Sequence, residues 1–600
     1  MKKYTIQNFL EVKSSGGGSF SYDGSKICFT SNATGIPQIY LVPSVGGEPE
    51  QITSFKDSNS FAVFSPIKDE ILFGKSEGGN EQTQFYLYSL ETKEIKAITD
   101  NPRVKYNFGG WSRDGKYIGY SGNERNGTDF DVYIRDMESG AVECVYDKGG
   151  NCHASGFSPK NSYFGIRKFN SNLDVDIYLL SLKDKKLEKI TSHEGTAYFG
   201  GMAWLSDELS FYTITNKDRD FLALSKYDVI QKRLTNILEL KWDVENISIS
   251  RNSELLSVMI NEDGYSKLKL YRIPSMFEIK LVDLPKTGMV YGARFSKDSK
   301  FLIMNVGDAR HTTDIWTYSI DEQKSRQITR SHQGVPADEL INPELHRFKS
   351  FDGLKVPYFL FLPKEIEHNK KIPVIINIHG GPEGQYTPSF ASLTQYFVYQ
   401  GYAVVAPNVR GSSGYGKRYL ALDDVEKRLD SVKDIASLHE HLKSIPQLDT
   451  NKVALMGGSY GGYMTLAGLA FYPDLWAAGV DTVGIVNLVT FLENTAPYRR
   501  ALRESEYGSL EKDRALLESI SPINSIQNIK APLFVIHGAN DPRVPVSEAR
   551  QVVSKLKELG REVEFVVYED EGHGIAKLKN RLDVYPRVVS FLDKILKNGK

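Results

Sequence analysis

Gly457-Gly458-Ser459-Tyr460-Gly461-Gly462 follows the apolar run VALM directly, and a stretch rich in small residues comes after it. With Gly457 and Gly461 two positions away on either side, no side chain blocks a sharp strand-to-helix bend. Such a bend pushes the serine hydroxyl out above a sheet. A hydroxyl is a poor nucleophile at neutral pH, so it needs a base, and the base needs a carboxylate to orient it. Downstream, LFVIHGANDPRVP puts Asp541 in a loop after one apolar run, and VEFVVYEDEGHG puts His573 in a loop after the next. Ser459, Asp541 and His573, in that order and each just past a strand, are the parts of acyl transfer through an acyl-enzyme. Glu569, Asp570 and Glu571 crowd the histidine loop and read as solvent-facing acids. His379 and His537 end other strands and read as structural histidines.

Attack by the serine creates an oxyanion, for which two backbone amides suffice as donors. One is the amide of Tyr460, directly after the nucleophile. The other is assigned to Gly381, in the loop His379-Gly380-Gly381-Pro382 after the strand VIINI. The remaining histidine-rich phrase, His439-Glu440-His441, sets its two rings about 200° apart on a helix, which does not build a metal site. Cys28, Cys144 and Cys152 read as free, buried, unreactive thiols, and Gly16-Gly17-Gly18 as a turn, since no helix pattern follows to cradle a phosphate. Neither a metal nor a cofactor is expected.

The elements that must position these residues are legible in the hydrophobic pattern. From Val374 onward, almost wholly apolar strands (VIINI, YAVVAP, VALM, LFVI, VEFVVY) alternate with helical stretches at 422–443, from Tyr463 to Leu469, and at 547–559. Strands of that kind are buried on both faces, so a mainly parallel sheet covered by helices on both sides is predicted. Before it, the chain repeats. Phe20, Phe64, Trp111, Phe157, Trp204, Ile249 and Phe295 are spaced by 44, 47, 46, 47, 45 and 46 residues. Each anchor is followed by a polar turn, a second strand, a third strand such as QIYLVP or DIYLLSL, and a short fourth segment such as EKIT or RQIT. Four strands in about 45 residues is the size of a propeller blade, so seven units predict a seven-bladed β-propeller. After Ser331 the repeat stops at a polar, Pro-containing connection. The predicted division is an N-terminal extension at 1–14, the propeller at 15–332, and the sheet-and-helix domain at 333–600.

Composition narrows the function classes. Among 600 residues, 74 Lys+Arg balance 75 Asp+Glu, so nothing biases the whole molecule toward nucleic acid or an anionic membrane. The longest apolar runs fall far short of the roughly 18 residues of a membrane span. Polar Gln7, Asn8, Glu11 and Lys13 interrupt any signal-like apolar segment. Three widely spread cysteines suit a reducing compartment, and a cytoplasmic location is expected.

Taken together, GGSYGG, HGGP, PNVRGSSGYG from Pro407, NDPRVP from Asn540 and GHG from Gly572, in that order behind a seven-fold repeat, resemble the prolyl oligopeptidase family of serine peptidases. In that family a β-propeller covers an α/β-hydrolase domain, and the resemblance spans the full chain. HGGP is similar to the acylaminoacyl peptidase branch, which implies a backbone oxyanion donor and release of an N-acylated residue. The resemblance also implies oligopeptide substrates, selected by size under the propeller, and it admits a homo-oligomer. It assigns Arg543 to a substrate main-chain carbonyl, with an inter-domain salt bridge as the alternative. The stretch VNLVTFLENTAPYRRALRESEYG should form the side of the S1 pocket with Leu488 and Phe491. Arg499 and Arg500 either hold a peptide's C-terminal carboxylate, as a carboxypeptidase requires, or make surface or inter-domain pairs. No glutamate pair of the kind that dipeptidyl peptidases use for a free amino terminus stands out before residue 330. A dipeptidyl peptidase, a carboxylesterase and a propeller scaffold stay open as alternatives.

Overall fold

The computed structural model describes residues 3–285 and 289–598. Seven four-stranded antiparallel sheets, each from one contiguous stretch of chain, run from Ser15–Phe20 to Lys324–Gln327. The repeat anchors end the first strand of each sheet, and the phrase that follows explains why it recurs. Ser21 Oγ donates to Asp23 at 2.6 Å, Ser112 Oγ to Asp114 at 2.7 Å, and Ser296 Oγ to Asp298 at 2.6 Å. The same hydroxyls accept the amides of Lys26, Tyr117 and Phe301, which closes each turn into the second strand. Neighbouring sheets share apolar clusters all the way around. Phe64, Phe73 and Ile39 join the first two sheets, and Ile27 and Phe29 meet Ile303 and Ile315 where the last sheet returns to the first. Ser15 N donates to the Thr313 carbonyl at 2.8 Å at that closure.

In the second domain eight strands, here β1 Glu344–Lys349, β2 Lys355–Phe361, β3 Ile372–Ile378, β4 Ala403–Pro407, β5 Leu448–Gly458, β6 Ala478–Thr482, β7 Leu533–Gly538 and β8 Val563–Tyr568, form one sheet. Their spatial order is β1-β2-β4-β3-β5-β6-β7-β8. The pairs β1–β2 and β2–β4 are antiparallel and the remaining pairs parallel. One face packs on the helices Arg428–Leu442, Tyr460–Phe471 and Val546–Glu558, and the other on Ser392–Tyr399 and Leu578–Leu596. The predicted helix at 422–443 begins as two short 3-10 turns and becomes α-helical at Arg428.

The segment read as an extension carries a helix, Ile6–Leu10, and Phe9 is fully buried against Tyr396 of the second domain at 5.2 Å between ring centroids. The helix Ile6–Leu10 thus packs on the helices of the hydrolase domain, ahead of the propeller in sequence. Truncating Phe9 to alanine would cost about 3–5 kcal/mol, the usual range for a buried phenylalanine.

Candidate active site

Ser459 lies between β5 and the helix Tyr460–Phe471 with φ 58° and ψ −120°, a conformation that a non-glycine residue holds only when its surroundings force it. The surroundings do. Its amide donates to the Thr482 carbonyl of β6 at 2.9 Å. A Cβ at Gly457 would sit 2.3 Å from the Gly461 carbonyl oxygen, and one at Gly461 would sit 2.1 Å from that of Ile378. Both glycines are therefore required by close backbone approach. The helix presents its unsatisfied first amides, including that of Tyr460, at the bend.

Asp541 and His573 sit past the ends of the adjacent strands β7 and β8. His573 Nδ1 and Asp541 Oδ2 are 2.7 Å apart. Asp541 Oδ1 accepts the amides of Arg543 at 2.8 Å and Val544 at 3.0 Å, so both carboxylate oxygens are engaged and the side chain is wholly buried. With Nδ1 bonded to the carboxylate, Nε2 of His573 is the ring nitrogen left to act as base. Asn540 bridges the two loops, its amide bonding the Glu571 carbonyl and its side chain the Glu569 carbonyl.

Glu571 departs from the expectation of a solvent-facing acid. It is 2 % exposed and accepts from the amides of Ala576 and Lys577 and from Asn580, fixing the turn that carries His573. Of the other two, Asp570 pairs with Lys577 and Lys579. His537 lies next to the acid but gives its Nε2 contact to the Val544 carbonyl at 2.8 Å, and burial lowers its pKa. His379 is held between the Gly380 carbonyl and Ser412, its pKa also lowered by burial.

The loop with Gly381 passes close to Ser459. A Cβ on Gly380 would lie 3.3 Å from Ser459 Cβ. Gly381 has φ 141°, and its carbonyl accepts from Arg503 Nη1 at 3.2 Å. The Arg503 guanidinium also meets Glu383. Against burial, which would raise it, Arg503 holds the Glu383 carboxyl down to about 2. Beside it the Glu506 carboxyl is driven well up by burial and by the Glu383 charge. Glu506 accepts from Arg428 at 2.6 Å, and Arg428 in turn meets Asp423 and the Tyr460 hydroxyl. A buried network thus joins the Gly381 loop to the side chain of Tyr460, the two residues assigned as oxyanion donors. Asp423, Asp424 and Glu506 bring carboxylate oxygens within 4.8 Å of one another, but Arg428 already fills that space.

The propeller covers the site by direct contact. Asn540 Nδ2 donates to the Gly78 carbonyl at 2.9 Å, and a Cβ on Gly79 would lie 2.4 Å from the Gly572 amide nitrogen. Asn172 donates to Glu383. Between the domains is a cavity of about 560 Å³, lined by Tyr198, Asn216 and Asp243 from the propeller and by Gly381, Arg499, Arg503 and Arg543 from the hydrolase side.

The structure brings some of the remaining sequence-predicted residues into this cavity and leaves others out. Arg543 lines it and also bonds Glu81 of the propeller at 2.6 Å, so it is an inter-domain pair with one face on the cavity. Arg499 lines it with its Nε unpartnered and its pKa lowered by burial and then by Arg503 and Arg543. Arg500 points away and pairs with Glu504 on the exposed face. Leu488 and Phe491 are in the core, 0 % and 2 % exposed, with Phe491 edge-on to Tyr507 at 5.8 Å. Neither lines the cavity, because Leu488–Asn494 is a short helix whose apolar face turns inward.

Sequence reasoning missed Arg503, Glu383, Asn172 and Asp243. Arg503 carried a signal: in a helix over Pro497–Tyr507 it shares a face with Arg499, four residues earlier. Asn172 and Asp243, set on separate blades, carried none.

A seven-bladed propeller capping an α/β-hydrolase sheet, with serine, aspartate and histidine past three strand ends, defines a class of covered serine hydrolases. Residues 388–599 match the model described as the prolyl oligopeptidase family. That match places the catalytic domain in this family, and the chain is a serine peptidase. It is 24% identical over 581 residues to dipeptidyl aminopeptidase BIII of Pseudoxanthomonas mexicana, covering 93% of this chain and 84% of that one. It is 30% identical over 241 residues to acylamino-acid-releasing enzyme 1 of Oryza sativa subsp. japonica, covering 38% of this chain and 31% of that one. Among solved structures, a prolyl endopeptidase superposes with a TM-score of 0.87 at 17% identity over 98% of this chain and 90% of that one, which speaks for the fold. Among the described residues no helix is long and apolar enough to cross a membrane.

Proposed function

We propose that this peptidase cuts short peptides through an acyl-enzyme on Ser459 and releases an N-terminal dipeptide. His573 Nε2 takes the serine proton and returns it to the leaving amine. Asp541 holds the imidazole in the tautomer that leaves Nε2 free, and the amides of Gly381 and Tyr460 hold the oxyanion. The propeller lies over both triad loops, so substrates must be small or flexible enough to reach the cavity between the domains.

One observation carries the dipeptide reading. Asp243 lines the same cavity as Gly381, and its carboxyl is pushed up to about 6 by burial, then by Glu245 and Asp220. Its hydrogen bond is to the Leu222 amide at 2.7 Å. Glu245, two residues on at a register irregularity of the same strand, is raised by burial as well. A carboxylate so placed gains a partner when a substrate ammonium enters the cavity that Gly381 also lines. The similarity over nearly the whole chain to a dipeptidyl aminopeptidase supports the same reading.

A second reading, release of an N-acylated residue, is favoured by the HGGP loop and by the likeness of the catalytic domain to an acylamino-acid-releasing enzyme. The test is a matched set of peptides with free, acetylated and amidated ends. The dipeptide reading expects a free amine to be required and Asp243→Asn to abolish that preference. Preference for acetylated ends favours the second reading. A requirement for a free carboxylate, lost in Arg499→Ala, would make the enzyme a carboxypeptidase.

A further inference from the structure

The propeller has two axial mouths. The first strands of its sheets begin beside the hydrolase domain, since Asp243, Gly16 and Tyr291 line cavities shared with that domain. They end at the opposite mouth, around a space of about 310 Å³ lined by Arg113, Arg251, Arg294, Lys297 and Trp111 among others. No aspartate or glutamate lines it. Arg113 of the third sheet and Arg251 of the sixth reach each other from distant blades. Arg113 Nη1 donates to the Arg251 carbonyl at 3.5 Å, and Arg251 Nη2 to the Arg113 carbonyl at 3.2 Å. Two guanidiniums are thereby fixed side by side with no acid between them.

Arg294 of the seventh sheet faces the same space and has no acidic partner among the described residues. The indole N–H of Trp111 is buried and unpartnered. The nearby acids are committed elsewhere: Asp23, Asp114 and Asp298 to the serines of their own turns, and Glu208 to Ser158, Ser162 and the Lys160 amide. In a chain of net charge −1, four cations converge on a space that no acid lines, with Glu208 acting on Arg113 only from outside it. Guanidinium forks match phosphate and carboxylate oxygens in pairs.

We propose that this outer mouth binds a small, multiply charged anion, held by Arg113, Arg251 and Arg294. Two sources share that chemistry, a free polyphosphate and the acidic stretch of a peptide. Calorimetric titration of the full chain at low salt, with tripolyphosphate in one arm and acetylated, amidated tetraglutamate in the other, distinguishes them. Saturable binding is expected for at least one of the two, at one anion per chain. It should weaken at least about tenfold in Arg294→Gln, the scale of one charged hydrogen bond, and weaken with added salt. Arg294 makes no ion pair, so the melting temperature of that variant without anion should match wild type. Arg251→Gln provides a second variant with the same expected loss. Absence of saturable binding to both anions, or equal binding by wild type and both variants, would overturn the proposal.

Discussion

Arg503 Nη1 donates to the carbonyl oxygen of Gly381 at 3.2 Å while its guanidinium neutralises Glu383, two residues further along the same loop. A side chain on the helix Pro497–Tyr507 thus fixes the loop assigned to the oxyanion, and Asn172 ties that loop to the propeller. Replacing Arg503 with methionine is expected to lower kcat by about 10–100-fold, the scale of a misplacement near 1 Å, with a smaller change in KM. The variant also leaves Glu383 buried and unpaired, at about 3–5 kcal/mol of stability. Adding Glu383→Gln should restore most of the stability without restoring kcat. Steady-state kinetics and denaturant melts of both variants check this.

Gly79 has φ 80°, and any Cβ there meets the Gly572 backbone. Gly79→Ala should push the propeller loop away from the turn that carries His573. A loss of kcat of about tenfold or more is expected for so close a displacement, with the hydrolase core as stable as before. Unaltered turnover would show that the propeller loop does not help to hold the histidine.

Asp243 gives a pH test. Its folded-state value of about 6 means the carboxylate forms as pH rises through that value, and only the carboxylate attracts an ammonium. Relative to matched acetylated peptides, kcat/KM for peptides with a free amine should therefore carry an ascending limb near pH 6. Asp243→Asn should remove the limb and raise KM for free-amine peptides by about tenfold, the scale of one charged pair.

Asp481 is fully buried at the end of β6, both carboxyl oxygens lack side-chain partners, and burial pushes it up to about 7. The folded state holds this proton more tightly than the unfolded chain. The associated stability is thus complete below the ordinary aspartate value near 3.8 and is lost as pH rises to about 7. Asp481→Asn should melt higher than wild type at pH 8–9 and close to it at pH 4. Thermal melts across that range read the difference directly.

Much of this site was legible because it is encoded by adjacent residues. Gly457, Ser459 and Gly461 are a local phrase whose glycines are demanded by backbone contacts that a reader of sequence can anticipate. Phe20 to Phe295 mark the blades because several of the turns that follow close on a serine hydroxyl, through Ser-x-Asp in three of them and Ser-x-Asn in a fourth. The cavity between the domains was far less legible. Arg499 and Arg500 are neighbours in sequence, yet the helix sends one inward and the other to solvent. Leu488 and Phe491 have the residue types of a pocket wall but serve the core. Asp243 and Glu81 reach the hydrolase domain only because the ring closes, and no local pattern records that.

The most direct measurement is reaction of the full chain with a fluorophosphonate, which forms a bond to an activated serine as fluoride leaves, followed by peptide mass mapping. The account expects one label per chain on Ser459, complete loss of peptide hydrolysis with labelling, and neither label nor activity in Ser459→Ala. Hydrolysis that survives in Ser459→Ala, or a label that maps to another serine, would contradict it.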